Sequence, residues 1–310
     1  MPTKLQIAYL KIIVAMIFWG ATYHVAKGLV KTLDPYICSL LRWGIASIIL
    51  TVMLYKEKSF AAFRQPLYNW FIVSCIGIFS IGLFNLFFFG ATARIAANLV
   101  STIMATTPCI TIICSWIFFK ERLNFLTIIG IILAFCGAVF AINLSASGCG
   151  NFWCDDLILR LNFGELLAFL MALGAVGYSL LLKKSMKLGM DNLTTLTLSA
   201  IVGTVFLAIV ALFKGNYHPM LSLTPHAWSM ILYLGVFGSA LNYKWYGDAL
   251  KEIEVSRAVI FVNTIPLTAI LIGVLFFKIT VTYQFLIAAF IIISGVILTN
   301  YSLINRSKNN

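Results

Sequence analysis

The sequence is a series of long apolar runs separated by short polar segments that often contain Pro or Gly. Each run is about 20 residues long, the length that an α-helix needs to cross the hydrocarbon core of a bilayer. A chain in hydrocarbon must satisfy its backbone hydrogen bonds internally, and continuous apolar runs are not typical of barrel strands, so every run is predicted to be helical. The ten predicted spans cover residues 8–28, 36–54, 68–90, 98–118, 124–143, 163–182, 193–213, 227–247, 256–277 and 281–302.

The composition excludes several classes of protein. Hydrophobic residues make up 61% of the chain and charged residues 10%, against about 45–50% and about 25% in a soluble domain, so a soluble enzyme is excluded. The net charge of +12 is scattered between apolar runs, so we expect no nucleic-acid partner. The sequence contains no H-E-x-x-H, G-x-S-x-G or P-loop pattern, so we expect no enzyme, cofactor, metal or ATP-driven pump.

The distribution of Lys and Arg predicts the orientation of the chain. When the N-terminus is placed inside, the inner segments hold most of these residues, among them Lys4, Lys11, Lys184 and Arg306. Cytoplasmic loops are enriched in Lys and Arg. Both termini are therefore predicted to be cytoplasmic.

Two stretches of the chain resemble each other. Residues 108–137 read PCITIICSWIFFKERLNFLTIIGIILAFCG, and residues 266–295 read PLTAILIGVLFFKITVTYQFLIAAFIIISG. The chain is therefore predicted to contain two five-helix halves, 1–143 and 163–310, joined by an outer loop at 144–162. Because five is odd, the second half enters the membrane inverted, as in many secondary transporters.

Four pieces of the sequence carry a resemblance to a known family. They are FWGATYHVAKG at 18–28, DPYICSLLRW at 34–43, FFKERLNFLTIIGIILAFCGAVF at 118–140, and the stretch 266–295. In this order and spacing they resemble the EamA-like, ten-helix branch of the drug/metabolite transporter superfamily. The sequence departs from the family pattern at Ile279, where the second half would repeat the acidic residue present as Glu121.

The repeat and the resemblance imply a secondary transporter that works by alternating access. The resemblance implies export or exchange of a small metabolite, often an amino acid or a related compound, across the bacterial inner membrane. An importer of the same fold and a passive channel are alternatives that the sequence leaves open. The expected partners are a small-molecule substrate and the lipid bilayer, and the protein is either a monomer or a homodimer. Proton coupling is a further option, with His24, Glu121 or Glu165 as the carrier.

Arg42 is the leading candidate for binding the substrate. It lies seven residues after Pro35, about 10 Å along the helix, where a charge must face a cavity or a partner. Its planar guanidinium suits a carboxylate or a phosphate, and a structural hub between helices is the alternative. The other predicted substrate-binding residues are Trp19, Tyr23, His24, Asn85, Tyr178, Asn242 and Asn263.

Three residues are predicted to take part in gating. Pro108 and Pro266 lie near the middle of spans four and nine, where each removes a helix hydrogen bond that nearby Thr side chains can help to replace. Broken helices at equivalent positions of two inverted repeats indicate a midplane site, and a packing kink is the alternative. Glu121 lies at the inner turn between spans four and five.

Two pairs of side chains are predicted to interact outside the apolar interior. Cys149 and Cys154 lie in the outer loop, where they either form a disulfide or stay reduced. Lys244 and Asp248 lie one helical turn apart at the inner end of span eight and are expected to form a surface ion pair.

Overall fold

The structure is a computed structural model that describes residues 3–58, 62–119, 125–147, 162–249, 252, 261–262 and 264–309. Side chains are described in these ranges except at 115–116, 118–119, 142–147, 179, 183 and 300–309. The described residues form helices and short turns and contain no β-strand.

The fold is built from apolar helices that follow the predicted spans. The described α-helices are α1 (Lys4–Leu29), α2 (Pro35–Lys58), α3 (Leu67–Cys75), α4 (Phe84–Arg94), α5 (Ala97–Met104), α6 (Thr107–Phe119), α7 (Phe125–Ser147), α8 (Phe163–Lys187), α9 (Asn192–Lys214), α10 (Pro225–Gly235), α11 (Asn242–Ala249), α12 (Ile265–Phe277) and α13 (Tyr283–Asn309). Six segments among the described residues are long and apolar enough to cross a membrane: Lys4–Leu29, Pro35–Lys58, Leu67–Arg94, Ala97–Cys114, Phe163–Lys187 and Asn192–Lys214. Three shorter apolar helices accompany them: Phe125–Ala141, Ile265–Phe277 and Tyr283–Thr299. The prediction of an all-α polytopic membrane protein is confirmed.

Polar side chains at the ends of the spans begin several of the helices. Thr3 starts α1 with a capping box, in which its hydroxyl accepts from the Gln6 amide and the Gln6 side chain accepts from the Thr3 amide. The Asp191 carboxylate accepts from the Thr194 amide at the start of α9. Such caps satisfy amides that have no partner within the helix.

The outer surface of the bundle is apolar. Leu67 and Phe213 expose 88% and 82% of their surface, and many other large hydrophobic side chains on the spans are exposed as well. Lipid tails, in contrast to water, accept such a surface without penalty. The polar groups of the spans are instead turned inward, as the buried Arg42, Asn85 and Asn242 demonstrate.

Spans three and eight each contain a π-helical segment at a related position. The segment π1 (Ile76–Leu83) joins α3 to α4, and the segment π2 (Val236–Leu241) joins α10 to α11. Asn85 comes two residues after π1, and Asn242 follows π2 directly. A π segment breaks the regular register of an α-helix and is often found at functional sites. Neither segment is predicted by the sequence pattern.

Span four is broken one turn before its proline. Helix α5 ends at Met104, and α6 begins at Thr107 with Pro108 in its first turn. Proline needs no amide partner there. The Thr107 hydroxyl donates a 2.6 Å hydrogen bond to the Met104 carbonyl, so a Thr side chain replaces the backbone bond lost at the break.

In span nine a proline again lies in the first turn of a helix. Helix α12 begins at Ile265 with Pro266 in its first turn, and the Thr264 hydroxyl donates to the Phe261 carbonyl at 2.6 Å. One turn later, the Thr268 hydroxyl donates to the Met16 carbonyl of α1 at 3.1 Å. The restarted helix is therefore attached to the first helix of the other half.

The two halves of the chain form one interleaved bundle. Helix α1 packs on α12, α2 on α9, α4 on α8, and α7 on α13. Gly130 and Gly295 allow α7 and α13 to approach closely, because a Cβ atom on either would lie 2.6 Å from the carbonyl oxygen of the other. Small residues at such crossings are typical of membrane helices.

Candidate functional site

The interior of the bundle places Arg42 where α2 meets π2. Arg42 is 3% exposed. Its Nε donates to the Ser239 hydroxyl at 2.8 Å, and its Nη2 donates to the Gly238 carbonyl at 3.0 Å. Its Nη1 is buried and has no hydrogen-bond partner. Two edges of the guanidinium are thus fixed by span eight, and the third is left free to bind.

The surroundings of Arg42 are aromatic and lack a counter-ion. The Arg42 Cζ atom lies 5.2 Å from the centroid of the Phe88 ring, and Tyr23, Tyr233 and Tyr243 lie near the guanidinium. No acidic side chain in the described part of the chain forms an ion pair with it. A buried charge without a partner is costly, so the geometry suits an anionic group supplied from outside.

Four aromatic rings from four helices meet beside this guanidinium. The centroid of the Tyr243 ring lies 5.3 Å from that of Trp19, 5.8 Å from that of Trp43 and 5.7 Å from that of Tyr178. We call Trp19, Trp43, Tyr178 and Tyr243 the aromatic box. Three of its rings, those of Trp19, Tyr178 and Tyr243, are only half-buried.

Tyr23 completes the enclosure on the other side of Arg42. Its side chain is 7% exposed and meets Phe88 edge-on, with ring centroids 5.5 Å apart. The predicted candidates Trp19, Tyr23, Arg42 and Tyr178 therefore lie around one place in the structure.

Asn85 and Asn242 are fully buried at the ends of the two π segments. The Asn242 amide donates to the Ala15 carbonyl of α1 at 2.9 Å, and the Asn85 amide donates to the Ile81 carbonyl at 2.8 Å. In each residue the side-chain oxygen has no hydrogen-bond partner. Buried polar atoms are rarely left unpaired, so both oxygens are free to accept a bond from a ligand.

His24 lies on a different side of α1 from Tyr23. Its Nε2 donates to the Ala269 carbonyl of α12 at 2.7 Å, and its ring stacks on Phe277 at 5.0 Å. Gly273 makes room for it, since a Cβ atom there would lie 2.7 Å from the His24 ring. The structure therefore separates His24 from the aromatic box and places it at the contact between α1 and α12.

Four of the predicted residues lie outside the described part of the chain. They are Glu121, Asn263, Cys149 and Cys154. Pro108 and Pro266 lie at the two helix breaks described above. The other seven substrate-binding candidates are all placed by the structure.

The sequence analysis missed several residues of this site. Ser239, Gly238 and Phe88 hold the guanidinium, and the unpaired Trp43 indole nitrogen adds a second free donor. The small residues at 238–240, with the sequence GSA, are a sequence feature that indicates this site. Small residues permit a side chain from another helix to reach the backbone. In the described residues, no group of three or more His, Cys, Asp or Glu could hold a metal ion.

Comparisons with known proteins support a transport function. The EamA-like transporter family matches residues 6–143 and 162–301. The uncharacterized transporter YyaM of Bacillus subtilis (strain 168) is 27% identical over 267 residues, which is 86% of this chain and 84% of the relative. An uncharacterized transporter of Buchnera aphidicola subsp. Schizaphis graminum (strain Sg) is 28% identical over 311 residues, covering 96% of this chain and 97% of the relative.

A solved crystal structure has the same fold. It aligns with a TM-score of 0.66 over 98% of this chain and 99% of the other, at 17% identity. The sequence match over both halves and the membrane-spanning helices lead to one conclusion. The chain belongs to the EamA-like transporter family.

Proposed function

We propose that the protein is a secondary transporter that exports or exchanges an amino acid or a closely related zwitterion across a bacterial inner membrane. The single observation that carries the proposal is the buried Arg42 Nη1, which has no hydrogen-bond partner. The Ser239 hydroxyl holds the guanidinium through Nε, and no acidic side chain among the described residues pairs with it. An Arg fork binds a carboxylate through paired N–H groups. The substrate carboxylate is the counter-ion that this site lacks.

The rest of the site suits the cationic end of the same substrate. The aromatic box offers ring faces, which attract an ammonium group. The Asn242 side-chain oxygen, one residue from Tyr243, has no partner and can accept from the same group. A ligand with both charges thus finds donors on one side and acceptors with aromatic faces on the other.

The arrangement of the site agrees with alternating access. Arg42 comes from the first half, while Ser239 and Tyr243 come from the second. A substrate bound between the halves contacts both of them, so a movement of one half against the other can expose it to either side. The burial of Arg42 agrees with a closed stage of such a cycle.

Counterflow in proteoliposomes tests the proposal. Vesicles loaded with one unlabelled amino acid or metabolite should transiently accumulate its labelled form from outside, whereas a passive channel would only equilibrate it. Arg42→Ala should abolish the accumulation, and Arg42→Lys should reduce it strongly, because Lys lacks the planar fork. If the folded protein shows no counterflow with any compound in a broad panel of amino acids and carboxylates, the proposal is rejected.

Arg94 provides a matched control for Arg42. It also donates to a backbone carbonyl, that of Gly90 at 2.9 Å, and also lies over a ring, with its Cζ 5.1 Å from the Phe163 centroid. It lies at the end of α4, away from the aromatic box. Arg94→Ala should leave counterflow intact, and an equal loss in both variants would show that the effect is a general loss of folding.

A further inference from the structure

A cluster of four charged side chains joins three helices below the aromatic box. The Asp248 carboxylate of α11 lies 3.3 Å from the Lys11 ammonium of α1 and 3.3 Å from the Lys244 ammonium of its own helix. The Lys244 ammonium also lies 3.3 Å from the Glu57 carboxylate at the end of α2. We call these four residues the ion-pair cluster. It connects two helices of the first half with one helix of the second.

The ion-pair cluster lies on the same helices as the aromatic box. Lys11 is eight residues before Trp19 on α1, about 12 Å along the axis, and Lys244 directly follows Tyr243 on α11. Beside them, Ile12, Ala15 and Met16 pack with Ala8 and Ala249 in a buried apolar layer that also contacts Trp19 of the box. Along α1, the layer and the cluster therefore both lie between Trp19 of the box and the N-terminal end of the helix.

On its other side the ion-pair cluster borders a cavity. The cavity has a volume of about 260 Å³ and is lined by Lys4, Ile7, Ala8, Lys11, Asp248 and Glu252. Its lining includes two members of the cluster, Lys11 and Asp248. The cavity therefore has the position of a vestibule on the face that holds the N-terminus.

The strength of the ion-pair cluster suits a contact that must break in every cycle. The side chains of Lys244, Asp248 and Lys11 are 18%, 21% and 35% exposed, and that of Glu57 is 50% exposed. Partly exposed pairs contribute little individually, and water entering from the vestibule can replace them. A fully buried network would hold the helices permanently.

We propose that the ion-pair cluster is the gate between the substrate site and the N-terminal face, with Asp248 as the residue that holds α1 and α11 together. This inference rests on the proposed transport cycle. Opening toward the N-terminal face separates Lys11 from Asp248 and parts the apolar layer. Closing re-forms both contacts, while the opposite face opens.

Accessibility of the apolar layer tests the gate without any substrate. Met16 is 1% exposed in the layer between the cluster and the box, and Met16→Cys places a thiol there. A membrane-impermeant maleimide is applied to each face of oriented vesicles, and labelling of the protein without the added thiol is subtracted. In a Met16→Cys background, Asp248→Asn should raise the labelling rate from the N-terminal face by about two- to fivefold, because the loss of one partly exposed ion pair between α1 and α11 shifts the closed-to-open ratio by about that factor.

Two further variants decide between a gate and a fold defect. Lys11→Gln removes the same contact from the other helix and should raise labelling equally. Glu252→Gln changes a charge in the same vestibule but outside the ion-pair cluster, and should leave labelling unchanged. If Asp248→Asn and Lys11→Gln are labelled at the same rate as the Met16→Cys protein with the intact cluster, the proposed gate is wrong. This holds even if counterflow is observed. Raised labelling without counterflow of any compound would keep the gate and reject the proposed substrate class.

Discussion

Arg42 Nε donates a 2.8 Å hydrogen bond to the Ser239 hydroxyl, which lies within the π segment of span eight. This bond connects the second helix of one half to the third helix of the other. It also orients the guanidinium so that Nη1 remains unpaired next to the aromatic box. The π segment is thus a positioning element, because it presents both the Ser239 hydroxyl and the Gly238 carbonyl to the same side chain.

Ser239→Ala should weaken substrate binding without abolishing transport. The variant removes one hydrogen bond to a charged group, worth about 1.5–3 kcal/mol, and leaves the Gly238 bond in place. The half-saturating substrate concentration in counterflow should rise by about tenfold to hundredfold. Ser229→Ala is the control, because the Ser229 hydroxyl donates to the His226 carbonyl on the exposed part of α10. An unchanged half-saturating concentration in Ser239→Ala would show that Ser239 does not position Arg42.

Gly273→Ala should destabilise the contact between α1 and α12. The added Cβ would lie 2.7 Å from the His24 ring, and overpacking of this kind costs about 1–3 kcal/mol. The melting temperature of the purified protein should fall clearly. Gly44→Ala on α2 is the matched control, since nothing lies within 4 Å of its Cβ position, and it should be neutral or slightly stabilising. Equal melting temperatures for both variants would contradict the placement of His24.

Pro108→Ala should slow transport while the protein stays folded. Alanine restores a backbone amide and favours a continuous helix across the break between Met104 and Thr107. If the break has to flex during the cycle, counterflow should slow by several-fold and the melting temperature should stay equal or rise. Pro225→Ala is the control, because Pro225 starts α10 next to an N-cap and not at a break. Normal counterflow in Pro108→Ala would indicate that Pro108 is only a packing kink.

The spans could be predicted from the sequence, because a bilayer forces any long apolar run into a helix. The positions of Pro108 and Pro266 in the first turns of α6 and α12 agree with the prediction as well, because a proline needs a free position there. Arg42 could also be predicted as a buried site, since a charge so far from the interface has few alternatives. Its partners Ser239 and Phe88 could not be predicted from the sequence. The position of a π segment depends on how its helix packs against other helices. The pattern of residues along the chain does not predict that packing.

The charged residues at the end of span eight illustrate the same limit. Lys244 and Asp248 do form the expected pair, but the structure adds Lys11 and Glu57 from helices far away in the chain. Spacing along one helix predicts only the local partner. The contacts between the halves, which carry the proposed gate, require the tertiary structure.

Asp191→Asn should lower thermal stability by an amount that stays constant from pH 8 to pH 5. Burial alone would raise the pKa of the Asp191 carboxyl, but hydrogen bonds from Lys58 and Thr194 outweigh it and lower that pKa to about 2. The charged form therefore stabilises the protein above about pH 4, and this contribution is lost as the pH falls from about 4 to about 2. Melting curves of both proteins across this range check the prediction, and a difference that already shrinks between pH 8 and pH 5 would contradict it.

The most direct test of the central claim is competition in counterflow between a substrate acid and its primary amide. The two compounds have nearly the same shape, and only the acid provides a charge for Arg42. In the wild-type protein the acid should compete at least tenfold more strongly than the amide, since a charged hydrogen bond contributes about 1.5–3 kcal/mol. In Arg42→Gln, which retains a neutral donor, the residual counterflow should be inhibited equally by the acid and by the amide. An undiminished preference for the acid in Arg42→Gln would show that another group binds the carboxylate, and would contradict the account.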